Sequence, residues 1–288
     1  MYLVVDSGST KTDWFAIDNS GNILFSTQTL GLNPAVLPSS ILKERIINNY
    51  QLEQNRKHFQ KLYFYGAGCG VSSAQNRIKK VFKQIFTNCE LDIKEDTYAA
   101  VYATVNLNEK AIVCIMGTGS NCTFYDGSKI EQRVVSLGYV LMDDASGNFY
   151  GKQLIRGYYF NEMPKKISQK FELSFDLSPD TIKEEIYRKE NPNKYLAGFA
   201  KFLIENKNEP YIKKIIYDGL RRFIKHQILQ FDNSKSLPIH FVGSISFYLK
   251  EELKKILIEF NLNLGKVVKR PIDGLVSYHK NILYKSDL

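Results

Sequence analysis

A chain of 288 residues, 44% hydrophobic and 24% charged, has room for two ordinary domains and excludes a disordered or fibrous class. Its formal charge of +9 invites a nucleic-acid partner, but the excess sits after Lys110, with 27 Lys+Arg against 20 Asp+Glu there and 12 against 10 before. In that second part the basic residues fall between apolar positions at helical spacing, as in YIKKIIYDGLRRFIKHQIL, so a solvated helix face is expected and no nucleic-acid partner.

In chain order, three short strands come first (Tyr2 to Val5, Asp13 to Ile17, Ile23 to Thr27), the last two joined by the hairpin signal DNSGN. A helix from about Ser39 to Asn49 follows, then strand KLYFYG, a helix around Ser73 to Phe86, a weak strand near Leu91 to Ile93 and a helix from Thr97. The order βββαβαβα then restarts. AIVCIMGTGSN is an apolar strand entering a glycine turn, and CTFYDGSKIEQRVV supplies two strands joined at Asp126-Gly127. Several helices are expected over about 146–231, then strand LPIHFVGSI, a helix from Phe247 to Phe260, strand LGKVVKR and a last helix. The pattern predicts an α/β protein of two related domains around a cleft, 1–110 and 111–288, the second with helices inserted, and with the last helix (272–288) able to pack back on the first.

No basic start and cleavage site marks a signal peptide, and apolar runs such as Ala111 to Met116 are strand-sized, so a cytoplasmic protein without a membrane partner is expected. Cys69, Cys89, Cys114 and Cys122 form no CxxC pair and have no His at zinc-site spacing; buried or incidental thiols are the expectation.

The turn in YLVVDSGSTKTDW resembles a Walker loop at first sight, with Lys11 and Thr12 after a glycine. The spacing G-x-x-x-x-G-K-[ST] is absent, and the alternating residues that follow make it a link between antiparallel strands. In such a turn Gly8 lets a ligand approach the backbone, and Ser9, Thr10 and Thr12 can donate to phosphate oxygens. Lys11 is a candidate contact, and Asp6 can orient a hydrated Mg²⁺. Gly117, Thr118, Gly119, Ser120 and Asn121 form a second small-residue turn at the corresponding place in the second half, so the pair could clasp one polyphosphate. Alone, either turn is equally an ordinary hairpin.

Taken in order, DSGSTKT, GLNPAV, EDTYAA, GTGSNC, LGYVLMDDASG and VGSI resemble the actin-like ATPase and sugar-kinase superfamily, whose fold is a duplicated ribonuclease-H-like domain. The match looks closest to the N-acetylglucosamine kinase group, also placed among the BadF/BadG/BcrA/BcrD-type ATPases. The resemblance implies an ATP-dependent, Mg²⁺-assisted kinase for an amino sugar, N-acetylglucosamine being the first expectation, with phosphorylation at carbon six. Asp96 would be the general base and a substrate contact, Asn33, Asn121 and Asp143 would bind the sugar, and Gly243 and Ser244 of FVGSIS would lie against the adenosine. An aspartate opening a helix is also simply a cap, Asn before Pro a turn residue, and Gly-Ser a common strand-to-helix turn. The sequence departs from the family at MDDASG, where Met142 and Ala145 replace expected glycines. That leaves substrate identity open. The alternatives are a kinase for another small-molecule hydroxyl, an ATPase that drives a partner enzyme, and a sugar sensor; the resemblance also allows a homodimer.

Overall fold

The computed structural model describes residues 1–8, 10–106 and 109–286. The chain divides into two compact units, Met1–Thr104 with Arg270–Leu288, and Val105–Lys269.

In the first unit β1 (Tyr2–Ser7), β2 (Lys11–Ile17) and β3 (Ile23–Leu30) form an antiparallel meander, followed by α1 (Ser39–Ile47), α2 (Tyr50–Asn55), β4 (Lys61–Gly66), α3 (Ser72–Ile85), β5 (Glu90–Glu95) and α4 (Asp96–Thr104). The sheet order is β3-β2-β1-β4-β5, with β4 parallel to both β1 and β5. Strand side chains alternate between faces, so each strand feeds two cores. Leu3, Val5, Leu62 and Phe64 pack with Trp14 and with Ile78, Val81, Phe82 and Ile85 of α3. Val4, Tyr63 and Tyr65 face the other way, onto Ala99 of α4 and Ile272, Leu275 and Val276 of the C-terminal helix (Pro271–Ser286). Trp14 meets Phe82 edge-on at 6.3 Å between ring centroids, the geometry that ring quadrupoles favour.

The helix expected through Asn49 stops at Ile47. Asn49 is extended (φ −90°, ψ 114°) and its side chain accepts from the Leu52 N–H at 3.2 Å, so it caps α2 instead of ending α1.

The second unit begins with β6 (Ala111–Met116), β7 (Ser120–Tyr125) and β8 (Ile130–Glu131), continues through α5 (Gly147–Tyr159), α6 (Lys165–Ser174), α7 (Pro179–Tyr187), α8 (Pro192–Gly198), α9 (Ala200–Glu205) and α10 (Pro210–His226), and ends with β9 (Pro238–Val242), α11 (Ser244–Tyr248), α12 (Lys250–Glu259) and β10 (Asn263–Val268). Its sheet order, β10-β9-β6-β7-β8, is that of the first unit read from the other edge. β6 and β7 are antiparallel, as are β7 and β8, while β6, β9 and β10 are parallel. The duplicated ribonuclease-H-like, actin-like architecture expected from the sequence is thus present in strand order and strand sense alike. Two local expectations are corrected. The third strand of this half is only two residues long, and the helix expected from Phe247 to Phe260 breaks at Leu249, a fully buried residue (φ −102°, ψ 22°) that separates α11 from α12.

Among the described residues, no helix is long and apolar enough to cross a membrane.

Candidate active site

Strand register gathers the candidate residues of the first unit at one edge. Ser7 of β1 lies opposite Gly66 of β4, and Gly66 opposite Glu95 of β5. The turn after β1, the 67–70 turn after β4 and the start of α4 therefore all emerge at the carboxyl ends of parallel strands, where α/β sheets bind ligands. Asp6 is one residue before that edge and Asp96 one residue past it.

The two carboxyls share an acidic environment. Burial pushes Asp6 up to about 8, with repulsion from Asp96 and Asp13 adding to it and Lys11 and Arg270 opposing it. Burial and the neighbouring Glu95 push Asp96 up to about 7, against hydrogen bonds from the backbone N–H groups of Thr97 and of Asp96 itself. A carboxyl raised in this way gives up its proton late, and a nearby cation would favour its ionised form. Among the described residues no set of three His, Cys, Asp or Glu side chains could hold a metal. Mg²⁺ commonly takes only one or two protein carboxylates and completes its shell with water and phosphate, so Asp6 fits that mode.

The β1–β2 turn divides its residues between ligand-facing and structural work. The Gly8 N–H donates to the Lys11 carbonyl at 3.0 Å. Among the described residues a Cβ on Gly8 would meet nothing closer than that carbonyl, at 3.8 Å, so none of them demands glycine there. Thr10 is partly exposed on the turn; Ser9 lies outside the described residues. Thr12, expected as a phosphate donor, is fully buried. Its hydroxyl sits 2.8 Å from Ser7 Oγ and donates to the Leu30 carbonyl at 3.2 Å, while the Leu32 N–H donates to Ser7 Oγ at 3.0 Å. That chain ties the turn to the segment carrying Asn33. Lys11 is half-exposed, with Nζ 2.9 Å from Asp13 Oδ2.

Asn33 uses its Oδ1 to accept from the Ala35 N–H at 2.9 Å, an Asx-turn contact. The same side chain lies where a Cβ on Gly68 would come within 2.0 Å, and Gly68 has φ +77°. Glycine is therefore required at position 68 of the 67–70 turn. Gly70 lies similarly against the Glu95 carboxylate, whose Oε1 a Cβ would approach to 3.1 Å. Glu95 was missed from sequence because a strand-end glutamate is unremarkable until the register shows what it faces.

In the second unit the β6–β7 turn is tight, with the Gly117 N–H donating to the Gly119 carbonyl at 2.9 Å. Among the described residues a Cβ on Gly117 would meet nothing within 4 Å. Thr118 contributes its carbonyl as an acceptor for the N–H and side-chain amide of Asn148, at 3.0 and 2.7 Å. Gly119 leaves room for Asp143, whose Oδ2 a Cβ would approach to 2.7 Å. Ser120 is turned inward: its hydroxyl donates to the Asp144 carbonyl at 2.8 Å and its N–H bonds the Asp143 carboxylate. Asn121 Oδ1 accepts from the Cys122 N–H at 2.7 Å.

Asp143 is 8% exposed, and burial raises its carboxyl above the usual range. Asn148, fully buried, joins it to the turn by donating to Asp143 Oδ2 at 2.9 Å. Sequence reasoning missed Asn148; its only signal was its place just after Ser146, the helix N-cap. Asp143 and Ala145 both have positive φ, 68° and 58°. Ala145 stands where the resemblance led to an expectation of glycine, and its left-handed backbone costs an alanine about 1–2 kcal/mol.

Gly243 has φ +125°, and a Cβ on it would lie 2.3 Å from the Met116 carbonyl, so it packs against the back of the second turn. Ser244 is exposed at the start of α11. The expected adenosine contacts and the second phosphate turn thus belong to one cluster.

Among solved structures, a presumed N-acetylglucosamine kinase from Porphyromonas gingivalis is 32% identical, covering 98% of this chain and 99% of its own, with a TM-score of 0.91. The chain belongs to the N-acetylglucosamine kinase-like sugar kinases with the actin-like ATPase fold. It is an ATP-dependent sugar kinase. A second presumed N-acetylglucosamine kinase, from Chromobacterium violaceum, shares the fold at 15% identity, covering 96% of this chain and 98% of its own, with a TM-score of 0.73. So does a glucokinase from Streptomyces griseus, solved with glucose and AMPPNP, at 13% identity, 98% and 99% coverage and a TM-score of 0.56. No protein-family model matches the chain, and no curated protein does.

Proposed function

We propose that this kinase acts on an amino sugar, N-acetylglucosamine first, and transfers the γ-phosphoryl group of ATP to the hydroxyl on carbon six. The observation that carries the proposal is Asp96: a half-buried carboxyl on the first residue of α4, at the sheet edge where the β1–β2 turn and the segment leading to Asn33 also emerge. The likeness over almost the whole chain to the Porphyromonas gingivalis protein supports the choice of sugar.

In this assignment Asp96 accepts the proton of the attacking hydroxyl, which phosphoryl transfer needs besides positioning and charge neutralisation. Asn33 and Asn121 supply amides, and Asp143 a carboxylate, to the sugar hydroxyls. The backbone of the two turns and Thr10 donate to phosphate oxygens, and Gly243 with Ser244 lies against the adenosine. Mg²⁺, held through water by Asp6, would neutralise charge on the transferring phosphates.

A coupled ADP-release assay across N-acetylglucosamine, N-acetylmuramic acid, N-acetylmannosamine, glucosamine and glucose tests this, with the phosphorylated product identified by mass spectrometry. Hydrolysis independent of any sugar, without a sugar phosphate, would exclude the proposal. Asp96→Asn should bind nucleotide normally and lose about 10² or more in turnover; full turnover would remove Asp96 from this role.

A further inference from the structure

The helices between β8 and β9 are the largest difference between the two units, and one of them reaches the Asp143 loop through a single residue. Asp144 has a side chain 15% exposed, with both carboxylate oxygens taken by α10. Arg222 Nε donates to Oδ1 at 3.0 Å, and His226 Nδ1 lies 2.8 Å from Oδ2. Arg222 and His226 are four residues apart, so one helix face presents both. α10 is itself fixed against α5: a Cβ on Gly219 would meet the Tyr150 and Phe149 rings at 2.7 and 2.8 Å, and Tyr150 Oη donates to the Ile216 carbonyl at 3.1 Å.

An exposed ion pair ordinarily contributes little, because ordering two long side chains offsets its attraction. This one grips a loop that needs an external hold. The residues on both sides of Asp144 have positive φ, which non-glycine residues leave when free to do so. Two further ties, from the Ser120 hydroxyl to the Asp144 carbonyl and from Asn148 to the Asp143 carboxylate, also need that backbone geometry.

We propose that Arg222 and His226 are positioning residues for the acceptor: acting through Asp144, they hold the Asp143–Ala145 backbone in the conformation that presents Asp143 to the sugar. The inserted helical segment then sets acceptor affinity without touching the acceptor. The proposal rests on the assignment of Asp143 to the sugar site.

The test uses the full-length Arg222→Gln/His226→Gln double variant beside Asp143→Asn. Amide hydrogen exchange is followed over residues 139–148, with KM for N-acetylglucosamine and for ATP measured separately. The double variant should exchange faster across that loop and show a sugar KM raised at least fivefold, with KM for ATP and kcat within about twofold. Arg222→Lys, which keeps the charge, should recover most of the sugar affinity. Unchanged exchange and sugar KM in the double variant, with Asp143→Asn defective, would overturn the positioning role and leave Asp143 in the site. An undiminished sugar affinity in Asp143→Asn would overturn the underlying assignment instead.

Discussion

His279 shows how a single residue links the fold to pH. It is 2% exposed, its Nε2 lies 2.8 Å from Tyr65 Oη, and its Nδ1 has no partner among the described residues. Burial lowers its pKa to about 3, with Lys94 and Lys61 adding to the effect. Between the unfolded value near 6.5 and about 3, the unfolded chain binds this proton and the folded chain does not, so stability is complete above about 6.5 and falls as pH drops. The loss is about 1.4 kcal/mol per pH unit, or about 2 kcal/mol from pH 6.5 to 5. Urea unfolding at pH 5 and 7.5 should show it, and His279→Gln should flatten the profile by a similar amount; an identical slope in the variant would assign the pH effect to other groups. At the same scale, short motifs were enough to single out Asp6, Asp96, Asn33 and Asp143 as candidates. What their neighbours do with them was not legible there. Thr12 and Ser120 carry hydroxyls that any sequence argument would aim at phosphate, and packing turns both inward.

At the scale of elements, Gly274 separates two opposing effects. Alanine is favoured over glycine inside a helix by about 1 kcal/mol. Here a Cβ would come within 2.7 Å of the Ala103 Cα and carbonyl oxygen in α4. Backbone cannot step aside as a flexible side chain can, and overpacking costs about 1–3 kcal/mol. Gly274→Ala is therefore expected to lower Tm despite its higher helix propensity; a raised Tm would show that the C-terminal helix can shift on α4 at little cost. Element type was readable from apolar periodicity, but breaks and ends were not. Asn49 interrupts a periodic stretch because its side chain finds an unpaired N–H, a competition between side chain and backbone that periodicity does not record. β8 is short although the sequence around Asp126-Gly127 carries an ordinary hairpin signal.

At the scale of the whole molecule, the first unit is assembled from both ends of the chain. One face of its sheet is covered by Ile272, Leu275 and Val276 of the C-terminal helix. Ending the chain after Lys269 would expose Val4, Tyr63 and Tyr65, so the first unit should fail to fold while Val105–Lys269, continuous and with its own core, keeps a cooperative transition. Trp14 is the one tryptophan of the chain and is fully buried in the first unit, so its emission reports that unit alone. A red-shifted emission beside residual helical circular dichroism is expected. Native emission would mean that the other core, around Trp14 and Phe82, suffices.

By itself the sequence determined the class of the protein. The βββαβαβα order occurs twice because hydrophobic period and turn residues are local properties, and the ordered short motifs mark the kinase family because ligand-facing turns tolerate few residue types. Only the tertiary structure decided which residues share an edge. Sheet register, left-handed backbone at Asp143 and Ala145, and the grip of α10 on Asp144 all depend on contacts between segments far apart in the chain, and no local pattern carries that information.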